Sequence, residues 1–499
     1  MRVRPGAAMP SPNCPLMNRI ERRVALLAMV VAAFGYLAWE VMHRGIYQYS
    51  TSAYGFDDAD EWRYTACSRL VAHGYGLFDQ VFSAQPPLLF ASLAAGMRLS
   101  GDSILGARWV EIVFGLVSLI CASLVAWLLA DGLAAAACAL LLAVSPGFLV
   151  YSHTVEAEGP MMAMVTLSLL LAATYWRTSR LPLASLAGLA LAAAVLLKLF
   201  AVEAVLPGLW VLTLATGSAR KRVFALLLYG LSALVPVGAE FLLLQPTDQW
   251  QQVVAMHDRA AQINFGGALP LSLLSQFLGF DFGLTLLSVG GFVVLIASRR
   301  WKDLGFLTLW LPGSMGMMLL FRPLFPHHLA ILLTGLAVSG GVGSSGIARG
   351  VLEYRRGWIA LAVIAGAAYI VLLPRTLQRD RHTLIAENRP FTARVTKYLD
   401  VHSSTADIVV VDDLEAADRA QRLVAPPLCD PSNVRLRAGY LTANQAIAAT
   451  ERYAVRIVVP TTGLYHQLPG YIDWLRTHFE PRSLSPGFSA YVHTRHRVP

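Results

Sequence analysis

The sequence predicts a polytopic α-helical membrane protein of about eleven spans, followed by a small polar C-terminal α/β domain. Three observations predict it. Of 499 residues, 56% are hydrophobic and only 14% charged, where a soluble globular chain is about a quarter charged; the mean hydropathy is +0.54. Apolar runs of about the 20 residues that cross a bilayer recur from residue 24 to residue 373. From 375 onward the composition turns polar.

The expected spans are 24–43, 106–130, 133–152, 160–176, 183–199, 201–216, 223–244, 282–298, 304–321, 328–343 and 358–373. Basic clusters lie between them: Arg2 to Arg23, Arg177 with Arg180, Arg220 to Arg222, Arg299 to Lys302, and Arg349 to Arg356. Cytoplasmic loops carry the Lys/Arg excess, so an even number of spans separates each pair of clusters. The net charge of +9 is accounted for by these anchors and does not point to nucleic acid. Parity decides three ambiguous segments. The short run 87–99, which contains Arg98, is an interfacial or re-entrant helix rather than a span. The run 181–216 would measure ~54 Å as one helix, against a hydrocarbon core of roughly 30 Å, so it folds as a hairpin turning near Lys198 to Glu203. Two spans suffice between Arg222 and Arg299, which leaves 245–281 as a large outer loop.

The organisation is then a cytoplasmic segment 1–23, a transmembrane domain 24–374 whose first outer loop is 44–105, and an extracytoplasmic α/β domain 375–499. Segment 24–43 is long enough to remain as an uncleaved first span. The tail has strand-like runs at 408–411, 455–459 and 489–493 and a helix-like run at 471–479, without a Gly-rich phosphate loop. Five cysteines (Cys14, Cys67, Cys121, Cys138, Cys429) fall at unrelated spacings that define neither a metal site nor a disulfide framework.

This topology gathers the chemically capable residues on the outer face. Residues 57–61 hold four carboxylates: Asp57, Asp58, Asp60 and Glu61. On a helix starting near Asp60, Arg63 and Tyr64 share its face, and such a carboxylate can take a proton from an attacking hydroxyl. The second outer turn, SHTVEAEGP, places Glu156 and Glu158 at a helix start, where negative charge is favourable. Lys198 costs about 2.5–3.5 kcal/mol in mid-span; at a hairpin turn it is a point charge suited to phosphate. Arg322, His327 and His328 occupy a late outer turn, FRPLFPHHL, and His257, Asp258 and Arg259 the large loop. Adjacent histidines alone make no metal site. A divalent cation, Mg or Mn, stays open as a cofactor.

Several of these runs resemble those of GT-C fold glycosyltransferases, in particular the protein O-mannosyltransferase and lipid A aminoarabinose transferase group. DEWRYTACSRLVAHG is similar to the Asp-Glu-x-x-Tyr stretch of that group's first outer loop. FDQVFSAQPPLLFA and LSGDSILGARW are similar to its Pro-Pro-Leu segment and the entry to the next span. AVSPGFLVYSHTVEAEGPMM resembles its second outer loop, LLKLFAVEAVLP its Lys-bearing hairpin, and FRPLFPHHLAILL its late outer turn. The tail, with APPLCDPSNVR and GYLTANQAI, resembles the extracytoplasmic portion of some bacterial members. The order of the pieces carries more than any one of them.

The resemblance implies a hexosyl- or pentosyltransferase of the bacterial inner membrane that uses a polyprenyl-phosphate-linked sugar as donor. The acceptor would be a protein, lipid or glycan. It assigns Asp60 as catalytic carboxylate with Glu61 beside it and Glu158 as the second-loop acid, although relatives often carry Asp there. Lys198 would contact the donor phosphate, with Arg63, Tyr64, Arg322, His327 and His328 as further substrate contacts. Asp57 and Asp58 rival Asp60. Direct attack would invert the anomeric centre. Two other classes fit a polytopic chain: a lipid transporter or flippase, and a noncatalytic glycolipid-binding protein. A transporter predicts charges spread through the bilayer depth and a repeated half, whereas here the charges gather at one face and no repeat is visible.

Overall fold

The computed structural model describes residues 59–493, save 153, 264–268, 354–389 and 486–487, together with parts of 23–37. The expected segment 1–23 up to residue 22, much of the expected span 24–43, the span 358–373, and Asp57 and Asp58 lie outside the described residues. The chain runs through helices α1 (Ala59–Ala72), α2 (Pro87–Leu99), α3 (Ile104–Leu129), α4 (Gly132–Val144), α5 (Glu158–Thr178), α6 (Leu181–Leu197), α7 (Val205–Leu214) and α8 (Ala219–Leu243). It continues through α9 (Pro270–Phe280), α10 (Phe282–Ala297), α11 (Trp301–Leu320) and α12 (Leu332–Glu353). Helices α3, α4, α5 and α12 pack together at the centre, α6 lies between α5 and α8, and α10 lies against α12.

Local sequence sets the boundaries that matter here. Pro87 occupies the first turn of α2, where its missing N–H costs nothing, and the chain leaves this helix through Gly101 at φ +75°. Ser103 then caps α3 by accepting from Leu105 N, 3.2 Å. Helices α2 and α3 meet at Gly96 and Gly106: a Cβ on either would fall 2.5 Å or less from the other's carbonyl oxygen. Asp131 caps α4, accepting from Ala134 N at 2.9 Å.

Among the described residues, five helical segments are long and apolar enough to cross a membrane: α3, α5, α8, α11 and Pro326–Gly350. Helices α9 and α10 would make a sixth as one span bent by 96°. One expected span is broken, and one expected hairpin forms. The run 133–152 divides at Ser145, with Pro146 opening a short helix, Pro146–Tyr151; proline supplies no N–H to continue the first helix. The run 181–216 breaks at Lys198, whose backbone is extended (φ −158°, ψ 134°). There it folds back: Ser179 Oγ donates to Thr216 O at 2.8 Å, joining the two ends of the hairpin. The segment 245–281 is not an open loop. It forms a helical run over 246–261, with a π-turn at Trp250–Ala255, and then α9. The polar residues on that run obscured a helix whose apolar side Val253, Met256 and Ala260 bury.

Helix α8 buries only Ala225 and Tyr229, while Leu234 and Leu243 are 71% and 84% exposed. A continuous apolar flank of this kind suits acyl chains and not water. The chain is a multi-pass membrane protein.

The polar C-terminal part opens with α13 (Pro390–His402). A five-stranded sheet follows: β1 (Ile408–Val411), β2 (Leu423–Val424), β3 (Ile457–Val459), β4 (Phe479–Ser485) and β5 (Phe488–His493), in the order β2-β1-β3-β5-β4. Strands β1, β2 and β3 are parallel; β5 runs antiparallel to both β3 and β4. The two-residue side-chain period sends Val409 and Val411 into the core continuous with the helical part, and Val410 into a separate core. The expected helix 471–479 is Pro469–His478, and Phe479 already begins β4.

This sheet domain is docked onto α1. Arg69, 3% exposed, binds Asp102 and Asp418, each at 3.0 Å, and donates to Gln421 Oε1 at 3.2 Å. A buried guanidinium needs such pairing on every side.

Candidate active site

The site is built on the first turn of α1. Asp60 Oδ1 accepts from Arg63 Nη1 at 2.6 Å, and the Tyr64 hydroxyl donates to Oδ2 at 3.5 Å. The i, i+3 and i, i+4 spacing that puts these residues on one face thus brings all three side chains together. His327 Nε2 approaches Oδ2 from the 3₁₀ turn Pro326–Ile331, at 3.5 Å. Burial alone would raise the Asp60 carboxyl, but Arg63, His327 and Lys198 hold it below the usual carboxylate range. Burial, with the negative charge of Asp60, Glu156, Glu158 and Asp430, keeps the Tyr64 phenol protonated well past its usual range. Tyr64 is itself fixed by Gln85 Nε2, which donates to its hydroxyl at 3.1 Å.

Two members of this cluster were not picked out from the sequence. Gln85 precedes the Pro-Pro pair of the segment similar to the family's Pro-Pro-Leu run, a resemblance that gives Gln85 itself no role. Asp430 comes from the C-terminal domain, 3.7 Å from Arg63 Nε, and its only sequence signal is the turn-forming Asp-Pro step at 430–431.

Glu61 faces the other way. It is 1% exposed and receives Arg108 in a two-pronged pair, Nε to Oε1 and Nη2 to Oε2, both 2.9 Å, while Val155 N donates to Oε1 at 3.1 Å. Its carboxylate ties α1 to α3 and to the second outer turn. Removing one partner of such a buried pair costs about 3–5 kcal/mol. Glu61→Gln is therefore expected to lower the unfolding temperature of the detergent-purified protein clearly, and Glu61→Leu with Arg108→Met to restore most of it. A wild-type melting curve for Glu61→Gln would contradict this reading.

Glu158 opens α5 and is fully buried. The ammonium of Lys198 lies directly on its Oε1. The extended backbone at Lys198 ends α6, so the side chain leaves the helix there and reaches α5. Gly159 makes room for the turn: a Cβ there would meet Glu111 Oε2 and Tyr151 O, both at 2.7 Å.

Glu158, His327 and His328 offer ligand atoms that lie within 4.8 Å of one another. One observation favours a cation among them: Glu158 Oε2 has no hydrogen-bond partner among the described residues. Two oppose it. The Lys198 ammonium already occupies the carboxylate, and a divalent ion would stand beside that like charge. His328 Nδ1 accepts from Phe325 N at 3.2 Å, which places the ring proton of the neutral imidazole on Nε2 and leaves that nitrogen no lone pair for a metal. The residues do not fit a divalent cation while Lys198 holds this place.

Beside the cluster lies a cavity of about 460 Å³. Lys198, His257, Arg322, His328 and Gln85 supply its polar groups; Leu199, Phe200, Val253, Val254, Leu320 and Phe321 supply an apolar wall. Arg322 is held at its rim by Nη1, which donates to the carbonyls of Leu319 and Phe321 at 3.1 and 2.9 Å. His257 Nδ1 lies 2.9 Å from Val253 O. A carbonyl can only accept, so Nδ1 carries the proton. Burial pushes this imidazole below its ordinary range, which leaves Nε2 an acceptor near neutral pH. Asp60 stands one side chain behind the wall, through Tyr64 to Gln85 and through His327 to His328, whose ring centroids are 4.4 Å apart. Its side chain keeps 18% accessibility, against 1% for the Glu61 residue and 0% for Glu158. Of these three acids, Asp60 alone keeps appreciable side-chain accessibility. Asp258 also lines the cavity.

Residues 84–239 match the family model described as dolichyl-phosphate-mannose-protein mannosyltransferase. In three dimensions the chain is similar to ArnT from Cupriavidus metallidurans bound to undecaprenyl phosphate, with a TM-score of 0.65 at 14% identity over 96% of this chain and 98% of that one. It is similar to the same protein in the apo state, with a TM-score of 0.62 at 15% identity over 86% and 92% of the two chains. It is also similar to the archaeal oligosaccharyltransferase AglB from Archaeoglobus fulgidus, in complex with an inhibitory peptide and a dolichol-phosphate: TM-score 0.51, 14% identity, 95% and 75%. No curated protein matches it in sequence. At these identities the structural likeness is one of fold. The motif resemblance to GT-C glycosyltransferases agrees with both comparisons, and the chain has a GT-C-like fold.

Proposed function

We propose that this protein is a membrane glycosyltransferase that moves a sugar from a polyprenyl-phosphate-linked donor to an acceptor hydroxyl on the outer face of a bacterial inner membrane. The observation that carries this reading is one cavity with two characters. Its cationic and hydrogen-bonding end, at Lys198, Arg322 and His328, suits a phosphate; its wall of Leu199, Phe200, Val253, Val254, Leu320 and Phe321 suits the first isoprene units. An accessible carboxylate, Asp60, stands behind the polar end. The match to a mannosyltransferase family model over 84–239 supports it, as does a fold shared with ArnT, whose structure holds undecaprenyl phosphate.

In this mechanism the acceptor hydroxyl oxygen attacks the anomeric carbon from the side opposite the phosphate. The bond from that carbon to the phosphate oxygen breaks, and its electron pair stays on the phosphate. The hydroxyl proton passes to Asp60, which Arg63, Tyr64 and His327 hold in place and ionised. Lys198 meets the growing negative charge on the departing phosphate, with Arg322 as a second cation at the rim. One displacement inverts the anomeric centre. Glu61 and Glu158, both buried and ion-paired, act as positioning residues for α1 and for Lys198. The donor reaches this site from the bilayer, so no soluble nucleotide sugar is required outside the membrane.

The same reading holds about eleven spans, a cytoplasmic N-terminal segment 1–23, a transmembrane domain 24–374, and an extracytoplasmic domain 375–499. Purified protein, a radiolabelled polyprenyl-phosphate sugar and a membrane extract as acceptor source test it. The expected result is acceptor-dependent release of free polyprenyl phosphate. Binding or transbilayer movement of the donor without release would instead identify a glycolipid-binding protein or a flippase.

A further inference from the structure

Four of the five cysteines lie among the described residues. Cys121 and Cys138 belong to apolar helices α3 and α4. Cys67 and Cys429 do not. Cys67 is on α1, one turn past Arg63 and Tyr64; Cys429 follows the 3₁₀ turn Pro426–Leu428 of the C-terminal domain, next to Asp430. Despite their distance in sequence, both thiols point at one atom. Cys67 Sγ donates to Phe82 O at 3.6 Å and Cys429 Sγ to the same oxygen at 3.4 Å. The two sulfurs thus flank a single carbonyl oxygen. Both residues are sealed from solvent, at 2% and 0% exposure. Arg435, stacked over the Phe82 ring at 3.6 Å, donates to the carbonyls of Pro427 and Asp430 and so fixes the loop that carries Cys429.

We propose that Cys67 and Cys429 form a disulfide that staples the active-site helix to the C-terminal domain. The inference rests on the outward orientation given above, because disulfides persist in the periplasm and not in the cytosol. Two thiols in a reduced core would serve as small apolar fillers, yet that role does not require cysteine from both halves of an interface. The step balances with a disulfide-bearing oxidant of the extracytoplasmic compartment. One cysteine thiolate attacks the oxidant's S–S bond to give a mixed disulfide. The other thiolate then attacks the protein sulfur of that mixed disulfide and expels the oxidant as a dithiol. The two thiol protons and two electrons thus end on the oxidant, as its dithiol. Burial pushes the Cys67 thiol well up, so the exchange belongs to folding, before the domain closes over α1. Once made, the bond fixes the register between α1 and the loop of Asp430, whose carboxylate lies 3.7 Å from Arg63 Nε. It therefore holds Arg63 between its two acidic partners.

The test uses the full-length wild-type protein, denatured in N-ethylmaleimide without reductant, digested, and mapped by mass spectrometry. A linked peptide pair containing Cys67 and Cys429, lost on dithiothreitol treatment, is expected, with Cys121 and Cys138 alkylated. In Cys67→Ser, Cys429 should become alkylated. A reporter fused to the C-terminal domain assigns its side of the membrane in the same cells. Free Cys67 and Cys429 in a domain that reads extracytoplasmic overturn the disulfide alone. Free thiols in a domain that reads cytoplasmic overturn the disulfide together with the orientation it rests on.

Discussion

Asp60→Asn is expected to lower sugar transfer by about 10²–10⁴-fold, the usual contribution of a general base, while leaving the protein folded. The amide keeps the shape of the side chain: its Oδ1 can still accept from Arg63, and its Nδ2, in place of Oδ2, can donate to the Tyr64 oxygen, so the first turn of α1 should persist. What it loses is the capacity to take the acceptor's proton. The measurement is acceptor-dependent release of polyprenyl phosphate in membranes matched for protein content. Full activity in Asp60→Asn would remove Asp60 from the mechanism. Asp57→Asn and Asp58→Asn are the paired controls, since both lie in the same acidic run. The pH dependence follows from the same contacts. Burial alone would raise the Asp60 carboxyl, but Arg63, His327 and Lys198 hold it below the ordinary carboxylate range. A depressed folded-state value adds stability above the unfolded value, and that stability is lost as pH falls through the folded value. Between pH 5 and 8 Asp60 stays ionised, so its titration should produce no acid limb in the transfer rate over that range. An acid limb within that range would assign the base to a histidine instead, with His257 the first candidate because its Nε2 is an acceptor in the cavity.

The parts of this site that were legible in the sequence are those that depend on local spacing. Asp60, Arg63 and Tyr64 fall three and four residues apart, and that spacing alone brings them together on a helix. Lys198 stands out because a lone lysine in a run of alanine and leucine must be turned out, paired or used. Hairpin formation at 181–216 follows from length. What the sequence could not separate was the role of each acid. Asp60 and Glu61 are neighbours with the same chemistry, yet successive residues on a helix point about 100° apart. One faces Arg63, Tyr64 and His327; the other faces Arg108. That difference depends on α3, which begins more than 40 residues later. Long-range partners were likewise invisible. Asp430 and Cys429 reach α1 only because the sheet domain docks on Arg69, and no local pattern encodes that contact. The helical run 246–261 was read as a loop because its charged residues mask the buried side of Val253, Met256 and Ala260.

Lys198 is where stability and chemistry can be separated by experiment. Lys198→Met is expected to do two kinds of damage. It strands the Glu158 carboxylate in a site with no exposure, at a cost of about 3–5 kcal/mol, and it removes the cation proposed to meet the departing phosphate, worth about 10²–10³ in rate. A single variant cannot apportion the two. Adding Glu158→Gln removes the stranded charge, because a neutral amide is far cheaper to bury than a carboxylate. The double variant should therefore recover most of the wild-type unfolding temperature but none of the lost transfer rate. The single variant should show both defects. If the double variant regains full transfer, Lys198 serves only to neutralise Glu158, and the phosphate must be met by Arg322 or His328. The wild-type pair also explains how a buried cation can stay ready for a ligand that arrives from the bilayer. Before the donor binds, Glu158 balances the ammonium. When the phosphate enters the cavity, Lys198 can share its three donors between the carboxylate and the phosphate. The charge needed at the leaving oxygen is then in place before the bond begins to break.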